Sequence, residues 1–337
     1  MSSPKMPIAA TPSRRQMLRH LAQAAWAVPA LSLGACSSIT KAPAAANAAP
    51  AIGNAPWATG GTAAISAAVR ASNPFAAAAA SACTLSCEAT IGPCHTQSPE
   101  RVDISDGWDG LPMHLQLRLL DLQCQPIAGA LVEIWHTNYT GGYSGEIVPM
   151  CNNNAADTQR QFFRGWQRSN AEGIVRFDSC YPGWYASRAN HTHIRILQGA
   201  YEASDAASSW LTTQLLFPDA LNSAIFAQAP HYQDKGQPDT TLDSDNVVGE
   251  EPDKSAYLWE VQNIAGVMLA SKTLVLRSNL GDTLCQVKGR MPPGPPPGMQ
   301  GGPGGPGGPG GPGRPPPGFQ PGGPRPPLPP GVQAPQG

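Results

Sequence analysis

Residues 185–197 read Tyr-Ala-Ser-Arg-Ala-Asn-His-Thr-His-Ile-Arg-Ile-Leu, and the last seven alternate in the manner of a β-strand. Because neighbouring side chains of a strand point to opposite faces, His191 and His193 project from the same face. Two imidazoles that lie a few ångström apart form half of a metal site. A His-x-His pair is more often one surface and one core histidine than a pair of metal ligands. Other features of the sequence are therefore needed to choose between these two interpretations.

Aromatic residues and turn signals lie upstream of this strand. Tyr185 follows Pro182-Gly183-Trp184, which predicts a turn. Further back, the run Trp135-His-Thr-Asn-Tyr-Thr-Gly-Gly-Tyr143 predicts the end of a strand and a glycine-rich loop after it. A tyrosine behind a Pro-Gly turn is typically a packing residue, so neither tyrosine alone indicates a metal ligand.

Short alternating segments recur through the middle of the chain without a clear helical period. Turn signals separate them, and residues 144–165 are predicted to form a polar loop. Many short strands of this kind predict an all-β fold, an antiparallel β-sandwich. The predicted strands cover residues 113–119, 130–135, 174–177, 191–197, 211–217 and 272–276.

The composition divides the chain into four regions. Residues 1–36 are predicted to be an export signal and 37–82 an Ala/Pro-rich, disordered linker. Residues 83–290 are predicted to form the β-sandwich domain. Residues 291–337 are rich in Pro and Gly, and their Gly-Gly-Pro repeats are too few for a collagen triple helix, so we expect a disordered or polyproline-like tail.

The N-terminal region carries two targeting patterns. The run Ser-Arg-Arg-Gln-Met-Leu-Arg at 13–19 resembles a twin-arginine export signal. An apolar stretch follows, and Leu33-Gly-Ala-Cys36 then resembles a lipobox. The alternative is an ordinary Arg-rich start with a chance cysteine. We expect export by the twin-arginine pathway to the periplasm or cell surface, with membrane attachment through a lipidated Cys36.

Charge and cysteine content bear on the possible partners and on disulfide formation. The net charge is −1 and 13% of residues are charged, which gives no indication of nucleic-acid binding. Seven of the 8 cysteines follow Cys36, and an oxidising compartment favours disulfides among them, with at least one thiol left over. Cys83, Cys87 and Cys94 also permit a soft-metal cluster, but their spacing is not that of a zinc site. The pattern leaves the pairing and the oligomeric state open.

The ordered set Trp-His-x6-Tyr, Pro-Gly-Trp-Tyr and Arg-x-x-His-x-His resembles the intradiol ring-cleavage dioxygenases, which include the protocatechuate and catechol dioxygenases, and most closely their exported members. The resemblance implies one non-haem Fe(III) per chain, bound by Tyr143, Tyr185, His191 and His193. It also implies that O2 and a catechol-type aromatic are the substrates. Both oxygen atoms enter the product, a muconate-type dicarboxylic acid formed by cleavage between the hydroxyl carbons.

The same resemblance assigns catalytic roles to three residues. Tyr185, axial with His191, is expected to leave the iron when substrate binds. Arg188 is expected to stabilise negative charge on the substrate ring, and Gln214 to lie near the oxygen pocket. The alternatives are a surface arginine and a polar-face glutamine. Cys94 follows Gly-Pro where the family has an aromatic residue, and this departure bears on substrate choice.

The chemistry of the ligands separates the competing functions. Phenolate is a hard anionic donor that suits ferric iron, and no carboxylate is spaced for a two-histidine, one-carboxylate ferrous site. The main alternative is a non-catalytic periplasmic lipoprotein that holds copper or zinc through His191 and His193. A purely structural surface protein, acting through its tail, is a third hypothesis. Neither alternative requires the two tyrosines.

Overall fold

The computed structural model describes residues 56–76, 83–204 and 208–289. Within these residues eight strands and three short α-helices alternate with loops and single turns of 3-10 helix. The strands are β1 Pro112–Leu120, β2 Leu131–Trp135, β3 Arg164–Arg168, β4 Ile174–Cys180, β5 His191–Leu197, β6 Ser209–Leu216, β7 Glu260–Ile264 and β8 Val267–Val275. The α-helices are α1 Ala67–Arg70, α2 Ala155–Thr158 and α3 Asp219–Gln228.

The strands form two four-stranded sheets, with the orders β4-β1-β8-β7 and β3-β2-β5-β6. Neighbours in the described sheets run antiparallel, apart from β1 and β8, which run parallel with Met113 opposite Met268. A parallel pair needs a long connection, and most of the domain lies between these two strands in the sequence. The predicted antiparallel β-sandwich is confirmed, with this one parallel pair added.

One apolar cluster fills the space between the sheets. Its members include alternate residues of β1 and of β5, all of which are fully buried: Met113, Leu115, Leu117, Leu119, Ile194 and Ile196. Burial of each such side chain contributes about 1.5–3 kcal/mol, so these positions fix which face of each strand points inward. The opposite face of β5 carries His191 and His193, outside the sandwich core and beneath the connecting loops.

The predicted strands were largely confirmed, but β3, β7 and the three described α-helices were not predicted. β5 has the predicted bounds, whereas β3 and β7 are edge strands with few apolar residues and therefore little alternation to detect. The predicted loop 144–165 contains α2 and the first residues of β3. Helix α3 buries Leu221, Ile225 and Phe226. This apolar stripe is too short to give a clear helical period in the sequence.

The linker prediction is wrong for residues 56–76, which pack on the sheet of β1 and β4. Ile65 and Val69 are buried against Val267, and Arg70 donates to Asp178 across 2.6 Å. Two apolar residues four apart give an alanine-rich stretch enough surface to dock, although its composition is typical of a tether. The remainder of the predicted linker lies outside the described residues, as do the export signal, the lipidated cysteine and the tail.

The prediction that the cysteines pair is confirmed. The structure has disulfides between Cys83 and Cys124, between Cys87 and Cys285, and between Cys94 and Cys151, and Cys180 is a buried free thiol. None of the described helices has the length and apolar character needed to cross a membrane.

Candidate metal centre

Two loops bring tyrosines to the outer face of β5. Tyr143 lies in the loop after β2, and Tyr185 lies in the loop after β4. The two loops pack backbone to backbone, since Gly183 N donates to Asn138 O across 2.9 Å. A Cβ on Gly183 would lie 2.4 Å from the carbonyl oxygen of Tyr139, so this contact requires glycine. The Pro-Gly turn thus fixes one tyrosine loop against the other.

Four donor atoms converge where these loops meet β5. The phenol oxygen of Tyr143 lies 3.0 Å from His193 Nε2 and 3.4 Å from the phenol oxygen of Tyr185. His191 Nε2 lies 3.3 Å from the Tyr185 oxygen and 3.2 Å from His193 Nε2. A metal ion about 2 Å from two N or O donors holds them about 3 Å apart, which is the spacing of this closed ring.

The ring is buried on one side and open on the other. Tyr143, His191 and His193 expose at most 3% of their surface. Tyr185 is partly exposed, and so is Arg188, whose backbone N–H donates to the Tyr185 carbonyl across 3.3 Å in a tight turn. The ring therefore lies nearest to solvent on the side of Tyr185 and Arg188.

Hydrogen bonding fixes the tautomer of one histidine. His191 Nδ1 lies 2.7 Å from the Ala189 carbonyl oxygen, which only accepts, so Nδ1 carries the proton and the Nε2 lone pair faces the ring. The His193 ring stacks on Trp135 with centroids 4.8 Å apart, and its Nδ1 is buried with no hydrogen-bond partner among the described residues. Both imidazoles are placed to offer Nε2 to an ion.

Burial determines the protonation of the ring. It lowers the pKa of His191 to about 3, with a further contribution from the positive charge of Arg188. Burial, and then the neighbouring His191, lower the pKa of His193 well below its ordinary value. Both histidines are therefore neutral near pH 7, the form that binds metals. Burial raises the pKa of Tyr143 well above its ordinary value, so ionising this phenol requires a nearby cation.

Arg188 is held between an acid and an amide. Its Nε donates to Asp245 Oδ2 across 2.9 Å, and one terminal nitrogen donates to the Gln214 side-chain oxygen. The other terminal nitrogen lies 3.5 Å from His191 Nε2. Gln214 pairs with His193 across β5 and β6, and its amide nitrogen donates to the Thr90 carbonyl across 2.7 Å.

The structure thus brings together every site residue that the sequence analysis named. It adds three residues that the sequence analysis did not include: Asp245, Thr90 and Cys151. Cys94, at the position where the family resemblance implies an aromatic, is disulfide-bonded to Cys151, and both pack against Trp135 and Tyr143. No local pattern marks Asp245, because its partner Arg188 lies 57 residues away in the sequence.

The donor set suits a hard metal ion. Phenolate oxygen and imidazole are both ligands of iron, and the buried ring offers two of each. In the part of the chain that the structure describes, no group of three or more His, Cys, Asp or Glu side chains is arranged to hold a metal. The two tyrosines are therefore essential to any metal centre built on His191 and His193.

A family model and several solved structures are similar to the chain. The family model Dioxygenase_C, described as dioxygenase, matches residues 92–224, which include the four converging side chains, Arg188 and Gln214. A search among curated proteins gave no match.

Several solved dioxygenase structures are similar to the chain. An intradiol ring-cleavage dioxygenase from Tetranychus urticae is 25% identical, with 59% of this chain and 98% of that one covered and a TM-score of 0.48. The dioxygenase domain of a carbohydrate-binding fusion protein from Streptomyces sp. SirexAA-E is 22% identical, with coverages of 58% and 100% and a TM-score of 0.42. Catechol 1,2-dioxygenase from Pseudomonas arvilla C-1 is 21% identical, with coverages of 56% and 61% and a TM-score of 0.39.

Proposed function

We propose that this chain is a non-haem Fe(III)-dependent intradiol dioxygenase. It inserts both atoms of O2 into a catechol-type aromatic and cleaves the ring between the two hydroxyl carbons, which gives a muconate-type dicarboxylic acid. The observation that carries the proposal is the ring of two phenol oxygens and two imidazole nitrogens at 3.0–3.4 Å spacing. The match to a dioxygenase family model over residues 92–224 supports it.

The four ring residues would hold one Fe(III) per chain. Two tyrosinates offset two of its three positive charges, and the neutral histidines complete the set without adding charge. When bound, Fe(III) would supply a Lewis acid that both catechol oxygens could coordinate and that would draw electron density from the aromatic ring. The deep burial of Tyr143, His191 and His193 would keep these three side chains in place when a substrate binds.

Tyr185 is the ligand placed to respond to substrate. It is partly exposed at the open side of the ring, so an incoming catechol reaches its oxygen before those of the buried ligands. Tyr185 Oη would be placed to take up one of the two protons that a bound catechol gives up, which would leave Tyr185 as a neutral phenol. The Tyr185 oxygen lies 3.3 Å from His191 Nε2, so the two groups are neighbours at the site.

Arg188 is placed to act on the substrate, and Gln214 holds Arg188 in position. The guanidinium of Arg188 borders the ring of donor atoms, where its fixed charge would stabilise the negative charge of a deprotonated catechol. Because the surroundings are largely buried, this charge is screened less than it would be in water. Gln214 holds the far end of the guanidinium and is itself fully buried.

We further propose that the protein works outside the cytoplasm, attached to a membrane through a lipidated Cys36. The twin-arginine and lipobox patterns motivate this proposal. The three disulfides support it, since such bonds form and persist in oxidising compartments. Catechols and O2 are the expected substrates there, and we expect no nucleic-acid partner.

The reaction is tested by turnover of a panel of substituted catechols under heavy-isotope O2. The expected product is a ring-opened dicarboxylic acid that contains two heavy oxygen atoms, with one O2 consumed per product. His193→Ala serves as the control, because it removes a buried ligand. A product with an aldehyde group would contradict cleavage between the hydroxyl carbons. No O2 uptake by a protein that binds zinc or copper would indicate the non-catalytic lipoprotein instead.

A further inference from the structure

Asp245 is a buried acid next to the candidate centre, and all of its hydrogen-bonding capacity is used. Its Oδ2 accepts from Arg188 Nε at 2.9 Å and from Ala189 N at 2.8 Å. Its Oδ1 accepts from Val247 N at 2.8 Å and Val248 N at 2.9 Å. The side chain has no exposed surface, so the carboxylate occupies one fixed orientation.

This carboxylate fixes the guanidinium to the chain segment that carries the metal ligands. It binds the side chain of Arg188 and the backbone of Ala189, whose carbonyl in turn accepts from His191 Nδ1. At the other end of the guanidinium, Gln214 is anchored on the Thr90 carbonyl. Two of the three guanidinium nitrogens are thereby held, and the third is directed at His191 Nε2.

We propose that Asp245 is a positioning residue for Arg188: it sets the plane of the guanidinium so that one N–H edge faces the bound substrate. The inference rests on the proposed dioxygenase function. It predicts that turnover depends on the orientation of the guanidinium as well as on its positive charge. A planar fork held at Nε has a defined direction, whereas a lysine ammonium in the same place has none.

Another buried acid in the chain offers a matched control. Asp178 also binds an arginine, Arg70, and a histidine, His114, but it lies on β4 in the other sheet. Asp245 is distinguished from Asp178 by the continuous chain of contacts to Gln214 and His191. A loss of function caused merely by removing a buried acid would appear in both Asp178→Asn and Asp245→Asn.

The first experiment is a double-mutant cycle on turnover of a catechol by the iron-loaded protein. We expect Arg188→Ala to lower kcat by roughly a hundredfold and Asp245→Asn by roughly tenfold, the loss expected for a misoriented electrostatic group. The double variant should fall no further than Arg188→Ala, within about twofold, because residues that act through one another are not additive. Asp178→Asn should keep kcat within about twofold.

Arg188→Lys provides a second test that leaves Asp245 intact. It keeps the positive charge but removes the Nε–H that Asp245 holds, so we expect a loss within about tenfold of that of Arg188→Ala. Turnover near the wild-type rate would show that charge alone suffices and would overturn the proposal. An equal loss from Asp245→Asn in the presence and absence of Arg188 would also overturn it.

A spectroscopic readout separates this proposal from the dioxygenase function. In protein loaded with diamagnetic gallium(III) in place of iron, the Arg188 Nε–H resonance should exchange slowly with water, and Asp245→Asn should make it exchange rapidly. Rapid exchange in the wild type would refute the positioning role. Slow exchange in the gallium-loaded protein, together with no catechol cleavage by the iron-loaded protein, would confirm that the guanidinium is held. It would contradict only the dioxygenase function.

Discussion

The Cys94–Cys151 disulfide should matter to the metal centre as well as to stability. Cys94 and Cys151 pack with Trp135 and Tyr143, and the Cys151 carbonyl accepts from Tyr143 N across 3.3 Å. Cys94 also lies two residues after Gly92, whose Cβ position is 3.3 Å from the His193 ring. The bond therefore joins the segment over one ligand to the loop that carries another.

A second disulfide offers a comparison of similar size. Cys94 and Cys151 are 57 residues apart, and Cys83 and Cys124 are 41 apart. In the chain-entropy model, loops of these lengths correspond to about 4 kcal/mol of unfolding free energy each. We expect both paired Cys→Ala variants to lose similar stability. Only the variant that lacks Cys94 and Cys151 should bind iron more weakly. We expect its iron affinity to fall by about 10–100-fold, the usual effect of losing support behind a ligand.

Two measurements on each variant check this expectation. Guanidinium unfolding of the metal-free proteins gives the stability loss, and the rate of iron release to a chelator gives the effect on the centre. Equal iron-release rates for the two paired variants would refute the reasoning, because they would show that the Cys94–Cys151 bond supports the fold alone. Iron release at the wild-type rate from the Cys94 and Cys151 variant would refute it equally.

Three further predictions concern the loops, the buried histidines and the N-terminus. Gly183→Ala should cost about 1–3 kcal/mol of unfolding free energy and lower iron content, because its Cβ has no room, whereas Gly281→Ala, in open space, should change the stability by less than about 0.5 kcal/mol. Burial lowers the pKa of His136 from about 6.5 in the unfolded chain to about 4 in the folded protein. As the pH falls from about 6.5 towards 4, the unfolded chain takes up a proton at His136 and the folded protein does not, so the free energy of unfolding decreases. His136→Gln should therefore reduce the loss of unfolding free energy between pH 7 and pH 5 by about 2 kcal/mol in denaturant titrations. The double substitution Arg14→Lys and Arg15→Lys should block export, as measured by cell fractionation. Cys36→Ala should release the exported protein from membranes, and a fully membrane-bound Cys36 variant would contradict the lipid anchor.

Local patterns were sufficient to predict the strand that carries the histidines. The alternation of residues 191–197 gives β5 its bounds and places His191 and His193 on one face, as the structure shows. The tyrosines came from the family resemblance, because nothing in their local sequence separates a ligand from a packing residue. The odd number of cysteines after Cys36 predicted a free thiol, and Cys180 is free.

Contacts between distant parts of the sequence could not be predicted. Asp245 meets Arg188 through a loop that has no periodic pattern, and β1 pairs with β8 across most of the domain. The docked segment 56–76 has the composition of a linker, and only its contacts with the sheet show otherwise. Each of these depends on tertiary packing, which the sequence pattern records weakly or not at all.

The measurement that tests the central claim most directly is the visible absorption of the purified protein, read with its metal content. We predict about one iron per chain and a broad tyrosinate-to-Fe(III) charge-transfer band that weakens in Tyr143→Phe and changes when a catechol is added. A colourless protein that carries zinc or copper, or a band indifferent to loss of Tyr143, would contradict a ferric centre built from two tyrosines and two histidines.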